Sequence, residues 1–325
     1  MVDAGINIIP DGPVEQIVEL ARQAESLGFK RCWVMDEGLV TRDVFVTMTA
    51  IGLATESIVI GTGITNPYTR HPAVTAAGIA TLDEMTGGRA FLGLGAGGSL
   101  TLDPLAIKRV KPLTAVRETI DTTRALFRGE TVTYQGQHVS LDGASIAYSR
   151  PDIEIWVAGR GPKMLQLGGE KANGVSLSFM HRDLIHEVTS LVRSGSAISG
   201  NEAKIDYAVY LATNDEMADR LRPYVTFSLV DSPQKAKDLI GISDEEVAEI
   251  RQVMGSQGLH AAGKLVRDEW LRPFTFMGSR AECAAGLTET IEKHGIDELV
   301  LPLFDLENAP DQLEEASRIF SIMET

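Results

Sequence analysis

With 44% hydrophobic and 23% charged residues, the 325-residue chain has ample material for a large core and none of the composition of a disordered segment. Its formal charge of -15 excludes a phosphate-rich polymer as partner, because nucleic-acid binding needs a basic face that displaces counterions. Its apolar stretches are broken every few residues, short of the ~20 needed to span a bilayer, and Met1-Val2-Asp3 opens no basic-then-apolar leader, so a cytoplasmic protein with a small-molecule substrate, no membrane and no nucleic acid is expected.

The opening run Gly5-Ile6-Asn7-Ile8-Ile9 reads as a strand. Val14, Ile17, Val18, Ala21, Ala24 and Leu27 then recur at helical spacing, with Pro13 placed to start the helix and Gly28 to end it. Cys32 to Met35 is the second strand. The alternation continues with helix 44–54, strand 57–61, helix 72–85, strand 90–95 and helix 113–127. A polar, hairpin-like stretch near 131–141 precedes strand 153–158, helix 163–170, strand 174–178, helix 183–193, strand 205–212 and helix 216–229. Residues 232–272 read as a helical insertion, before helix 280–294 and a final strand 298–302. Eight strands separated by helices require parallel crossovers and close most readily into a (β/α)8 TIM barrel, the open doubly wound sheet being the alternative. One domain over 1–325 is expected, with insertions near 130–150 and 232–272. Cys32 and Cys283, each in apolar context, are expected as reduced core thiols.

Such a barrel mounts its chemistry on the loops after the strands. Four of these loops stand out: Met35-Asp36-Glu37-Gly38, Gly61 to Pro67, Gly93 to Ser99, and Val157 to Pro162. Glycines in the last two allow a flat ligand to approach the main chain. Gly159-Arg160-Gly161 runs straight into a helix whose free amides, with Arg160, suit a phosphate; the plainer reading is a turn with a solvated arginine. Asp36 and Glu37 are adjacent, so their side chains start in opposite directions, and a pocket carboxylate there suits a flavin-type ring, a substrate or proton transfer. Asn7, polar among isoleucines, either faces substrate or ties two strands together. His71 and His181 either meet substrate or cap local structure. His138, His186, His260 and His294 lack metal-ligand spacing, and no bound metal is expected.

The chain resembles the luciferase-like monooxygenase and hydride-transferase superfamily, and within it the methylene-tetrahydromethanopterin-reductase-like branch. The resemblance lies in Gly5 to Pro10, Trp33 to Glu37, Gly61 to Pro72, Ala80 to Arg89, Gly93 to Gly97 and Gly159 to Pro162. It implies a bacterial-luciferase-like barrel that holds coenzyme F420, or alternatively FMN, at the strand C-termini, within a homodimer or higher homo-oligomer. By this resemblance Asp36, Thr65 and Asn66 lie at the cofactor ring and Gly63-Ile64 matches a non-prolyl cis peptide behind it. Gly97 and Thr101 lie at the ring's far edge, and Gly159, Arg160 and Gly161 take the phosphate, with Ser178 also toward the cofactor. Glu37, Asn7 and His71 are the candidate catalytic residues. Asn7 stands where the methanopterin reductases carry a Glu, Glu37 where a His is common, and Gly98 where many relatives have an acid. An amide cannot replace a carboxylate in proton transfer, so methylene-tetrahydromethanopterin is not the expected substrate; either Glu37 handles the proton or the substrate needs no acid from the enzyme. The implied function is F420-dependent hydride transfer between the deazaflavin C5 and a small organic substrate. The alternatives are an FMN-dependent two-component monooxygenase fed by a partner flavin reductase, and a non-catalytic cofactor-binding barrel.

Overall fold

The computed structural model describes residues 2–178 and 180–323. Eight parallel strands close a barrel: β1 (Asp3–Ile8), β2 (Arg31–Val34), β3 (Val59–Thr62), β4 (Ala90–Leu94), β5 (Glu154–Ala158), β6 (Gly174–Leu177), β7 (Lys204–Ala208) and β8 (Glu298–Leu303). Each pairs with the next in chain order, and β8 closes on β1 with Asp3 beside Glu298 and Ile8 beside Leu303. The open-sheet alternative is thereby excluded.

Helices cover the outside of the barrel, so its strands are buried on both faces. Outward-pointing Cys32, Val34, Ile60, Leu92, Ile155, Val157, Val175, Ile205 and Leu301 pack under the helices in the main core. Inward-pointing Trp33, Phe91 and Trp156 meet edge to face, with centroids at 4.5 and 5.5 Å, and form a layer with Ala208 and Val300. Glycines opposite these rings make the room: a Cβ at Gly63 would stand 2.6 Å from Trp33 Cβ, and one at Gly174 would overlap the Trp156 ring. Local signals fix the helix starts. Asp43 Oδ1 accepts from the Phe45 and Val46 amides at 3.0 and 3.1 Å, which caps Val44–Ala54.

Two features depart from the sequence reading. The expected strand 205–212 is broken: β7 ends at Ala208, and Tyr210–Ala212 leaves the barrel to pair in parallel with Thr275–Met277. The apolar run gives no sign of the break, because the partner strand arrives only where the insertion returns. A C-terminal helix, Ala309–Met323, was not foreseen; it packs against helices Arg280–His294 and Val14–Ser26 and on β8, with Phe320 edge-on to Phe29 at 6.0 Å. The insertion after Ser232 holds four short helices with an apolar core of their own, built on Leu221, Val225, Leu229, Ile250, Trp270 and Leu271. The hairpin forms between Val132–Gln135 and Ser140–Ala144. Cys32 and Cys283 are buried free thiols, and burial pushes Cys32 up to about 12. Among the described residues no helix is long and apolar enough to cross a membrane.

Candidate functional site

The ends of β1 and β6 and the loops after β2 to β5 meet in a cleft of about 370 Å³ that opens to solvent at the C-terminal end of the barrel. Its walls include Asn7, Asp36, Glu37, Gly63, Ile64, Thr65, Asn66, Gly97, Thr101, Gly159, Arg160 and Ser178. Twelve of the fourteen residues singled out as catalytic or cofactor-binding therefore converge here. The sequence reading had separated them by up to 171 positions, and barrel closure brings them together.

Asp36 and Glu37 diverge, as adjacent side chains beyond a strand end do. Asp36 Oδ2 accepts from Thr65 Oγ1 at 2.6 Å, tying the loop after β2 to the loop after β3. Glu37 Oε2 accepts from Thr101 Oγ1 at 2.7 Å, on the short helix Ser99–Leu102 after β4. Burial raises the Glu37 carboxyl above the usual carboxylate range; the Thr101 hydroxyl pulls it down and the neighbouring Asp36 charge pushes it up. This places a carboxyl readied to hold a proton at the cleft wall.

The Gly63-Ile64 peptide bond is cis. Asn7 Nδ2 donates to Gly63 O at 3.2 Å, so Asn7 does tie two strand ends together, while its Oδ1 is buried without a protein donor. Thr65 is locked by its amide on Gly93 O at 3.0 Å and by its carbonyl, which accepts from Gly95 N at 2.9 Å. Asn66 Oδ1 accepts from the Tyr68 and Thr69 amides, closing an Asx turn that sets the loop. Gly97 has φ +76°, a backbone that L side chains rarely adopt, and its carbonyl accepts from Arg109 Nη1 at 2.9 Å. At the opposite end Gly159-Arg160-Gly161 leads into helix Pro162–Lys171. Arg160 Nη1 stands 3.7 Å from Asp231 Oδ2, and burial lowers the guanidinium pKa against the raising effect of Asp231.

Two of the singled-out residues lie outside the lining. His71 is exposed and its Nδ1 accepts from Ala73 N at 3.2 Å, so it caps helix Pro72–Met85 in place of facing the cleft. The open φ -60°, ψ 132° backbone before Pro72 puts the imidazole there. Gly161 is the cap residue of its helix, with open space where a Cβ would stand. His181 likewise caps, its Nδ1 accepting from Asp183 N. Met35, Ala96, Gly98 and Ala158, from the loops singled out, also line the cleft, as do Trp33, Arg109 and Ser176, to which no site role was given. Ser176 and Ser178 had a signal, small polar residues two apart on a strand and so on one face. Arg109 belongs to a basic stretch, Lys108 to Lys111, that is unusual in so acidic a chain.

The profile of the Luciferase-like monooxygenase family matches residues 3–298. The chain is 34% identical to the 5,10-methylenetetrahydromethanopterin reductase of Methanolobus tindarius over 295 residues, 89% of this chain and 90% of that one. The coenzyme F420 dependent tetrahydromethanopterin reductase of Methanopyrus kandleri superposes with a TM-score of 0.87 at 27% identity, covering 97% of each chain. The FMN-bound oxygenating constituent of 3,6-diketocamphane monooxygenase from Pseudomonas putida shares the fold alone, with a TM-score of 0.72 at 17% identity over 98% and 96% of the two chains. Barrel, cleft and sequence agree, and the chain belongs to the luciferase-like monooxygenase family.

Proposed function

We propose that this protein is a coenzyme F420-dependent oxidoreductase that transfers hydride between the deazaflavin and a small organic substrate. The observation that carries the reading is the cleft itself. It sets an oriented carboxylate at Asp36, a buried acceptor with no protein donor at Asn7 Oδ1, and glycine-bare main chain at Gly98 on walls held by hydrogen bonds from four loops. A flat ring with polar edges fits that donor and acceptor set, and the Arg160 guanidinium with the first amides of helix Pro162–Lys171 suits an anionic tail. The names of the Methanolobus and Methanopyrus relatives support F420; FMN rests on likeness of fold.

When bound, the cofactor supplies the hydride chemistry. Asp36 and Thr65 fix one edge of the binding surface, Gly97 and Thr101 shape the other, and Arg160 holds the tail. Glu37, held by Thr101, gives or takes a proton at its free carboxyl oxygen as charge develops on the substrate. Asn7, an amide, orients the Gly63 carbonyl and transfers no proton. This supports an acceptor other than methylene-tetrahydromethanopterin. We also propose a homodimer or higher homo-oligomer, because helix Val44–Ala54 leaves Val46 and Leu53 64% and 72% exposed, and Leu39 and Val74 are exposed as well.

Fluorescence titration of the purified protein with F420, and separately with FMN, tests the cofactor assignment. Tight binding of F420 with no FMN binding is expected. FMN binding accompanied by oxygen uptake contradicts it.

A further inference from the structure

Below the cleft the barrel interior holds charge that hydride transfer does not use. Arg31 from β2, Glu154 from β5, Asp206 from β7 and Glu298 from β8 share this floor. Arg31 donates from Nε to Glu298 Oε2 at 3.0 Å and from Nη2 to Glu154 Oε2 at 2.9 Å, with its guanidinium against the rings of Phe91 and Trp156. Glu154 Oε2 also accepts from Trp156 Nε1 at 2.8 Å, and Lys204 Nζ stands 3.6 Å from Glu154 Oε1. Asp3, the β1 neighbour of Glu298, is exposed at the edge of this floor. Arg31 and the exposed Lys204 thus face three carboxylates, Glu154 part-buried and Asp206 and Glu298 buried, one more than the cations. A buried carboxylate without a cation of its own is relieved by holding a proton.

Asp206 is the place for that proton. It is 0% exposed, and its register neighbours are Glu298 on one side and Ser176 on the other. No cation pairs with it, whereas both other carboxylates bond Arg31. Burial, then Glu298, raise its pKa well above the ordinary value; the Ser176 hydroxyl, Arg31 and the Leu177 amide oppose this by less. The Ser176 hydroxyl and the Leu177 amide thus lie near the carboxyl, both of whose oxygens are buried without a made hydrogen bond.

A second observation concerns how this floor communicates with the cleft. Asn7 Oδ1, Trp33 Nε1, Arg31 Nη1, both Asp206 oxygens and Glu298 Oε1 are buried polar atoms with no protein hydrogen-bond partner. They belong to barrel strands between the cleft and the floor, and buried polar atoms of this kind are satisfied by ordered water. At β6 the Trp156 ring covers Gly174, and two residues on Ser176, on the same inward face, is part of the cleft wall.

We propose that Asp206 is a proton store for the cleft and that Ser176 is the hydroxyl through which its proton reaches a bound molecule. The proposal rests on the cleft being the reaction site. In the step, the Asp206 O–H bond breaks as its proton passes to Ser176 Oγ, directly or through one water. The Ser176 proton passes at the same time to an atom in the cleft that has gained negative charge, such as the oxygen of a carbonyl whose carbon has accepted hydride. Asp206 is left as a carboxylate facing Arg31, solvent returns a proton by the same path, and no electrons move in this step. Asp206 acts through Ser176 and does not itself touch the substrate.

Infrared spectroscopy of the cofactor-free protein at neutral pH tests the store. Asp206→Asn is expected to lose the carbonyl stretch of one protonated carboxylic acid. On transfer to D2O that band shifts rapidly in the wild type, and Ser176→Ala is expected to lose the rapid phase. An Asp206→Asn spectrum that keeps every acid band overturns the proposal. So does equally rapid exchange in Ser176→Ala, which sends the proton out through Glu298 at the floor. Should Asp206→Asn fail to fold, the exchange comparison between wild type and Ser176→Ala still decides. F420 binding is titrated on the same samples; failure of the wild type to bind it refutes the cofactor reading and leaves the infrared result standing.

Discussion

Replacing Arg31 by Met keeps an unbranched stem and removes the guanidinium, together with its contacts on Phe91 and Trp156. Arg31 is 8% exposed, and its two ion pairs, at 3.0 Å to Glu298 and 2.9 Å to Glu154, are correspondingly enclosed. Removing one partner of a buried pair leaves an uncompensated charge and costs about 3–5 kcal/mol, a large share of the roughly 5–15 kcal/mol that holds a typical protein folded. A loss of about 4 kcal/mol in urea unfolding at neutral pH is therefore expected. The pH dependence follows from Glu154, whose carboxyl is raised by burial but held lower overall by Arg31, Trp156 and Lys204. A group whose folded pKa is depressed contributes stability above its unfolded pKa and loses it as pH falls through the folded value. Without Arg31 much of that contribution is gone, and Glu154 and Glu298 relax by taking up protons. The deficit of Arg31→Met is accordingly largest near neutrality and shrinks on acidification toward about pH 4. Adding Glu154→Gln and Glu298→Gln to Arg31→Met restores most of the loss. A deficit below about 1 kcal/mol at neutral pH, or one that does not change on acidification, refutes the reasoning.

Arg160→Ala weakens F420 binding about 10- to 100-fold, the worth of a charge-assisted hydrogen bond, in a fluorescence titration; unchanged affinity discards the phosphate role. Glu37→Gln keeps F420 binding and loses about 100-fold in turnover. Because the Glu37 pKa is raised, wild-type turnover falls as pH rises through it, and that limb is missing in Glu37→Gln; normal turnover leaves Glu37 only its bond to Thr101. Gly174→Ala places a Cβ into the Trp156 ring and costs about 1–3 kcal/mol in thermal unfolding, whereas an unchanged Tm means the aromatic layer gives way freely. The wild type is expected to sediment as a dimer or larger assembly and Val46→Asp with Leu53→Asp as a monomer without loss of helix content; a monomeric wild type refutes the proposed assembly, and an unchanged coefficient in the variant moves the interface elsewhere.

The order of the barrel was legible because each helix writes its 3.6-residue period between short apolar strands, and Gly and Pro mark the junctions, as at Pro13 and Gly28. The cleft was legible through its loops, since Asp36, Gly63, Thr65 and Gly97 interrupt apolar runs at strand ends. Two kinds of feature were not. Tyr210 to Ala212 continue the apolar run of β7, so nothing local separates a barrel strand from one that pairs with Thr275–Met277 outside it. The charged floor was missed because strands buried on both faces lose the simple inside-outside alternation. Arg31, Glu154, Asp206 and Glu298 lie 52 to 267 positions apart in pairs that only closure brings into register. His71 shows a third limit: a histidine before Pro72 reads equally well as a ligand group or a cap, and only the backbone direction decides.

The most direct test of the central claim follows the hydride. F420 reduced with deuterium at C5 is mixed anaerobically with the protein and a panel of small carbonyl and iminium compounds, and products are read by mass spectrometry. The account predicts deuterium carried from C5 onto the product carbon, with no requirement for oxygen. Absence of label transfer, together with oxygen-dependent turnover of reduced FMN, contradicts it.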